Sequence, residues 1–227
     1  MCNMEKRIVT IDTASLSIDL LLEELHMTEK HKQYASIEAM FKDAVSIAKP
    51  VAIYATFAPE LHEETISING IKIEDPFVFE MLKERELVFP FVATCGFEIE
   101  EWSKLFTNMF EQYAADALKE IFLEAVTDAL RAKIREDYYT PEKNIANINP
   151  GSLSEWPIQG QVPLFEMLGG ADSVKNDIGV VLKESMLMVP VKSVSGIAFQ
   201  SDEAYHNCQL CPLEDCPDRV APYEWRK

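Results

Sequence analysis

The 227-residue sequence is long enough for a domain with a full hydrophobic core, and 48% of its residues are hydrophobic, which predicts a globular protein. Its formal net charge of -17 at pH 7 repels phosphate backbones and anionic lipid, so nucleic acid and membrane surfaces are disfavoured as partners. The apolar run at 8–12 is too short for the core of a signal peptide, and no stretch is apolar for long enough to span a bilayer. The expected location is therefore the cytoplasm.

The first half of the chain contains predicted helices and short strands. Apolar residues at helical spacing predict the first two helices, and Asn69-Gly70 between two alternating runs is a strong hairpin signal. In chain order, the predicted elements are an extended arm over residues 1–12, helices Ser15–His26 and Tyr34–Ala48, a strand Val51–Phe57, a hairpin Glu64–Ile73 and a helix Phe77–Lys83.

The second half contains the most apolar strand and the longest helix. Leu87–Thr94 is almost continuously apolar, which predicts a central strand. A helix Glu98–Glu111 follows, and the long helix Ala114–Arg135 is either continuous with it or separated by a break near Gln112. A polar loop then leads to Pro150. The last predicted elements are a helix Trp156–Leu168 and two strands that complete the sheet, around 180–182 and 195–199.

The order of these elements indicates the fold class. Helices are grouped with hairpins and do not alternate strictly with strands, which favours an α+β fold with a largely antiparallel sheet. We expect a single domain over residues 1–205, in which residues 1–90 are a candidate sub-lobe, followed by a cysteine-rich tail over residues 206–227.

The stretch from 150 to 199 has an unusual composition. Prolines, glycines and hydroxyl residues lie among apolar runs, which fits neither an amphipathic helix nor an alternating surface strand. We predict two tight turns and two short strands, with backbone N–H and C=O groups left over to meet a ligand or another protein.

This stretch also carries a family resemblance. The Pro150-Gly151 turn and the run from Ile178 to Gly196, which includes Glu184-Ser185 and Ser193, resemble the activation (reactivation) domain of vitamin-B12-dependent methionine synthase. The segment 92–100 and the long helix resemble further parts of that domain, so the likeness covers most of the chain. It implies a helmet-like α+β fold, with a twisted, largely antiparallel sheet flanked by helices.

The resemblance also implies a function in cobalamin chemistry. The activation domain holds S-adenosylmethionine (AdoMet) while oxidised cob(II)alamin is reduced by one electron and methylated to methylcobalamin. We therefore expect a stand-alone subunit of a methionine synthase or corrinoid methyltransferase system, working on a corrinoid protein in trans. The chain would be a subunit of such a methyltransferase and no independent catalyst. Its residues contain no signal of a Ser-His-Asp triad, and no catalytic residue is predicted.

The family's ligand contacts can be carried over to matching positions. They are a glutamate of the long helix, the Pro-Gly turn with the residue before it, and the edge of the last strand. The corresponding residues are Glu124, Asn149, Pro150, Gly151, Gly196, Ile197 and Ala198. Taken without the resemblance, Glu124 is equally a solvated or structurally paired helix residue, and Pro150-Gly151 is equally a plain type II turn.

The sequence departs from the family pattern at the ligand site. The synthase has an arginine three residues before the turn proline, where it holds the AdoMet carboxylate, and this chain has Asn147 there. Ser152 replaces a tyrosine and Ala198 an aromatic residue. Loss of a charge-assisted pair can remove useful affinity. An alternative function is therefore a module that binds a corrinoid protein and has lost AdoMet.

The C-terminal cysteines are the second informative stretch. Cys208 and Cys211 form a C-x2-C pair with metal-ligand spacing, and Cys216 supplies a third thiolate. The fourth ligand would be His206, Cys95 or an exogenous group, and the site would hold zinc or an iron–sulfur cluster. The alternative is a set of reduced thiols. A metal or redox sensor built on these cysteines is a further functional hypothesis.

Overall fold

Five antiparallel strands form the main sheet of the computed structural model, which describes residues 5–202, 205, 207–211, 213, 215, 216, 219 and 221–224. The strands in chain order are β1 Lys6–Thr10, β2 Val51–Ala55, β3 Glu60–Leu61, β4 Ile66–Ile68, β5 Ile71–Ile73, β6 Val88–Thr94, β7 Asn144–Ile148, β8 Val181–Leu182, β9 Met188–Val189 and β10 Ser193–Ser201. The main sheet has the order β1-β2-β6-β10-β7, so β7 is an edge strand beside β10. The α+β fold class is confirmed.

Helices cover both faces of this sheet. They are α1 Ile18–Glu24, α2 Tyr34–Ile47, α3 Pro76–Leu82, α4 Phe97–Ser103, α5 Met109–Tyr138, α6 Gln161–Met167 and α7 Ala171–Ile178. The side chains of β6 alternate between two cores: Phe89 and Phe91 pack with α1, α2, α4 and α5, while Val88 and Val92 pack with the β4–β5 hairpin, α3, α6 and α7. Because both faces of β6 are covered, its sequence is apolar throughout, and its predicted central position is confirmed.

The long helix α5 starts earlier than predicted. The predicted helix Glu98–Glu111 is wrong over 104–108, because α4 ends at Ser103 and a loop separates it from α5. Asn108 begins α5: its side chain accepts a hydrogen bond from the N–H of Phe110 at 2.8 Å. An Asn followed three residues later by Glu111 is a helix-start signal that marks this break correctly. Neither alternative for this junction is correct: the two helices are not continuous, because residues 104–108 separate them, and Gln112 lies inside α5.

Three elements of the second half were missed or misassigned. The predicted polar loop before Pro150 contains β7, which pairs with β10 from Asn144 to Ile148. Helix α7 was not predicted. The strand expected around 180–182 does not join the main sheet, because β8 pairs only with β9 in a separate ribbon. By contrast, the predicted hairpin is confirmed, with Asn69 and Gly70 at positive φ in its turn.

Within the described residues, no helix combines the length and the apolar character needed to cross a membrane. The first four residues of the predicted N-terminal arm lie outside the described residues, and so does Cys2.

Candidate functional site

A cavity of about 560 Å³ lies between α5, the edge strand β7 and the start of the C-terminal tail. Helix α5 lines it with a row of polar and charged side chains, and Phe91 and Val194 add apolar surface from the sheet. The tail contributes Tyr205, Asn207 and Cys208. A volume of about 300–1,000 Å³ is typical of small-molecule sites.

The α5 wall is strongly acidic. Glu120, Glu124 and Asp128 follow one another at intervals of four residues, which places them on the same side of the helix. Arg131 lies almost one turn beyond Asp128, and its Nη1 donates to Asp128 Oδ1 at 2.6 Å. The wall therefore changes sign along its length, from carboxylates at one end to a guanidinium at the other.

A lysine outside the cavity lining binds the first of these carboxylates. Lys192 Nζ lies 2.7 Å from Glu120 and 3.2 Å from Asp116. Partial burial of Lys192 opposes its charge, but these two carboxylates outweigh that effect and raise the pKa of Lys192 above its ordinary value. Glu120 is thus engaged in an ion pair with a residue outside the cavity lining.

A chain of amide hydrogen bonds joins the arginine to the strand edge. Arg131 Nε donates to Asn147 Oδ1 at 3.3 Å, and Asn147 Nδ2 donates to Asn149 Oδ1 at 2.6 Å. Asn149 Nδ2 then donates to the carbonyl of Ser195 at 2.8 Å, while Asn207 Nδ2 reaches Asn149 Oδ1 from the tail at 3.0 Å. Helix, strand edge and tail are therefore connected through the side chain of one buried asparagine, Asn149.

The Pro150-Gly151 turn fixes the position of Asn149. The N–H of Ser152 donates to the carbonyl of Asn149 at 3.2 Å, and Gly151 has a φ of 84° at the third position of the turn. This is the geometry of a type II turn, in which a residue without Cβ is favoured at that position. Pro150 and Gly151 come directly after Asn149 in the chain. They affect the cavity wall by fixing the position of Asn149.

Gly196 allows the close approach of Asn149 to β10. A Cβ atom at position 196 would lie 2.5 Å from Asn149 Nδ2 and 2.6 Å from the carbonyl oxygen of Ile148. Ile197 and Ala198 are fully buried in the next positions of the same strand, and Ala198 is opposite Asn147 in the register with β7. The strand thus supports the wall formed by Asn147 and Asn149.

This cavity contains some residues that were predicted from the sequence and others that were not. Glu124 and Asn149 line it, as does Cys208, which was predicted for a different role. Arg131 and Asn207 were not singled out. The spacing of seven residues between Glu124 and Arg131, about two helical turns, was the signal that could have found the arginine.

The cysteine tail is organised by an arginine in the described part of the chain. Arg219 Nη1 donates to the carbonyl of Cys208 at 2.8 Å, and its Nη2 donates to the carbonyls of Cys211 at 2.8 Å and Leu213 at 2.6 Å. The guanidinium of Arg219 therefore holds the backbone carbonyls of the C-x2-C pair close to one another.

The predicted metal site stays a prediction. Among the described residues, no group of three or more His, Cys, Asp and Glu side chains is placed to hold a metal ion, and Cys208, Cys211 and Cys216 are free thiols there. His206, a candidate fourth ligand, lies outside the described residues. Cys95, the other candidate, is buried in the core, where desolvation and the charge of Glu100 raise its pKa to about 12 and keep the thiol protonated.

The fold is that of an activation domain, and comparison with known proteins agrees. The family model described as vitamin B12 dependent methionine synthase, activation domain, matches residues 63–219, and the chain belongs to this family. Among solved structures, it is similar to the crystal structure of the MetH reactivation domain bound to AdoHcy, with a TM-score of 0.64 and 16% identity over 90% of this chain and 81% of that chain. No curated protein matches the chain.

Proposed function

We propose that this chain presents AdoMet to the corrinoid of a partner module during reductive reactivation, and that the cavity beside α5 is the AdoMet site. The observation that carries the proposal is that one cavity is lined by Glu124 and by Asn149. These residues come from separate elements, and the family resemblance singles out both positions. The AdoHcy bound to the solved MetH domain is the demethylated form of AdoMet, which supports the same class of ligand.

The residues of the cavity suit the chemistry of this ligand. AdoMet combines a sulfonium cation, an α-amino-acid group and an adenosine. Glu124 and Asp128 provide negative charge for the cationic groups, and the amides of Asn149 and Asn207 provide hydrogen-bonding groups. Phe91 adds apolar surface of the kind that the nucleoside requires.

When bound, AdoMet supplies the methyl group that a reduced corrinoid accepts. The residues of this chain hold the ligand in one orientation and exclude water, which is a positional contribution to the reaction. The corrinoid itself belongs to the partner. Since this chain has a net charge of -17, a basic face on the partner would favour docking.

Calorimetric titration of the purified protein with AdoMet tests the proposal. Saturable binding in the micromolar range is expected, and Glu124→Gln is expected to weaken it. Glu136→Gln is the matched control, because Glu136 is an exposed carboxylate on the same helix and does not line the cavity. Absence of binding by the folded wild-type protein, or equal affinity of the two variants, would contradict the assigned site.

A corrinoid-docking module that does not bind AdoMet is the second candidate function. The presence of Asn147 where the synthase has an arginine favours it. The same titration separates the two candidates when it is paired with a binding assay on a cobalamin-loaded partner domain. Binding of that partner without AdoMet binding would support the docking module.

A further inference from the structure

Arg131 is the only cationic side chain among the described residues that line the cavity. It belongs to the C-terminal third of α5 and not to the strand edge. Its side chain is 34% exposed, so a ligand can reach it. The remaining charged groups of the lining, Glu120, Glu124 and Asp128, are acidic, and an anionic group of a ligand would therefore find its favourable contact at Arg131.

The guanidinium is held in place by groups that do not use all of its donors. Arg131 Nε donates to Asn147, whose amide is fixed in turn by the buried Asn149, and Nη1 donates to Asp128. Arginine has five N–H groups, so three remain for a ligand once these two bonds are made. Within the described residues, Nη2 has no hydrogen-bond partner. A solvated surface ion pair would not need this support from a second element.

The charges on α5 are also spaced in a defined order. With a rise of about 1.5 Å per residue, Arg131 and Asp128 are about 4.5 Å apart along the helix axis, and Asp128 and Glu124 about 6 Å apart. In AdoMet, the carboxylate and the ammonium are attached to the same carbon, and the sulfonium follows after a two-carbon chain. The ligand therefore carries a carboxylate, an ammonium and a sulfonium in this order. They extend over a length similar to that of the row from Arg131 through Asp128 to Glu124.

We infer that this row recognises the charged end of AdoMet: Arg131 binds the carboxylate, Asp128 the ammonium, and Glu124 faces the sulfonium. Asn147 then serves as a positioning residue for the arginine. The inference rests on the proposed function and specifies the orientation of the ligand, with its amino-acid group toward the C-terminal end of α5. A bound zwitterion would replace the contact between Arg131 and Asp128 with one contact to each of its two charges.

Three related ligands test this orientation. AdoMet carries all three charges, AdoHcy lacks the sulfonium charge, and methylthioadenosine lacks the whole amino-acid group. Arg131→Gln is expected to weaken AdoMet and AdoHcy by about tenfold or more, which is the usual effect of losing a charge-assisted pair, and to leave methylthioadenosine unchanged. Glu124→Gln is expected to weaken AdoMet more than AdoHcy.

Lys133→Gln is the matched control. It removes the same charge from the same helix, and Lys133 pairs with Glu136 and Asp137 outside the cavity. Arg131→Lys keeps the charge but loses the planar fork, so it is expected to bind AdoMet with intermediate affinity.

The possible results distinguish failure of the proposed orientation from failure of the proposed function. If wild-type protein fails to bind AdoMet, the proposed function fails. If wild-type protein binds AdoMet and Arg131→Gln binds it as tightly as Lys133→Gln does, the orientation is wrong while the proposed function stands. If Arg131→Gln weakens methylthioadenosine as much as AdoMet, the arginine maintains the shape of the cavity and does not bind the carboxylate, which also overturns the inference.

Discussion

Substitution of Gly196 by alanine tests the contact on which the cavity wall depends. The backbone of β10 is extended at this position, so alanine has no conformational penalty there, and the whole cost comes from contacts. The added methyl group would lie 2.5 Å from Asn149 Nδ2, 2.6 Å from the Ile148 carbonyl oxygen and 2.9 Å from Phe91 Cε1. Overpacking of this kind costs about 2 kcal/mol, and displacement of the buried bond from Asn149 to Ser195 adds about 1 kcal/mol.

Urea denaturation measures this expected loss of about 3 kcal/mol in the free energy of unfolding. With a denaturant slope of about 3 kcal/mol/M, the midpoint should fall by about 1 M. Gly179→Ala is the control: Gly179 has a φ of 76° with no atom within 4 Å of an added Cβ, so its cost is conformational only, about 1 kcal/mol. If Gly196→Ala is no more destabilising than Gly179→Ala, the steric account of this wall is wrong.

Three further predictions concern the core, the pH dependence and the tail. Lys119→Met should destabilise the protein by about 3–5 kcal/mol, because it leaves Glu100 buried without the Lys119 ammonium that now lies 3.3 Å away, and adding Glu100→Gln should recover much of that loss in urea denaturation. The Lys133 hydrogen bond and charge hold the pKa of Asp137 below its ordinary 3.8, so its contribution to stability is present above pH 3.8 and lost as the pH falls through the lower folded-state pKa. Asp137→Asn should therefore flatten the acid side of a stability profile, and an unchanged profile would exclude this role. For the tail, elemental analysis of anaerobically purified protein should find zinc or iron that Cys208→Ser reduces, and metal-free wild-type protein would contradict the predicted site.

The boundaries of α5 illustrate how far local signals reach. Its apolar spacing predicts a long helix, because helical periodicity is a property of neighbouring residues. The start of the helix at Asn108 is also a local feature, because a capping asparagine marks it, but the apolar pattern alone does not include that signal. Strand β7, in contrast, could not be predicted from local signals, because its asparagines suggest a loop. It is a strand because β10 has a free edge with which it can pair.

Some features of the candidate site likewise follow from local sequence, and others depend on contacts between distant elements. The position of Glu124 on the helix and the Pro150-Gly151 turn follow from short segments of sequence, and the family resemblance connects them to one function. The contact between Arg131 and Asn147 joins residues of two elements, and it exists because β7 lies beside α5. Reading Asn147 by itself as a lost cation was therefore incomplete, since a cation enters the same cavity from the helix.

The sequence alone determined the α+β class, the buried central strand, the hairpin turn and the family of this protein. All four depend on local periodicity, on turn chemistry or on a run of matching residues. Only the tertiary structure decided which side of α5 faces a cavity, which charges share it and which residues of the tail line it. Those features arise from the packing of distant segments, where the pairing of β7 with β10 and the close approach at Gly196 set distances that no local pattern encodes.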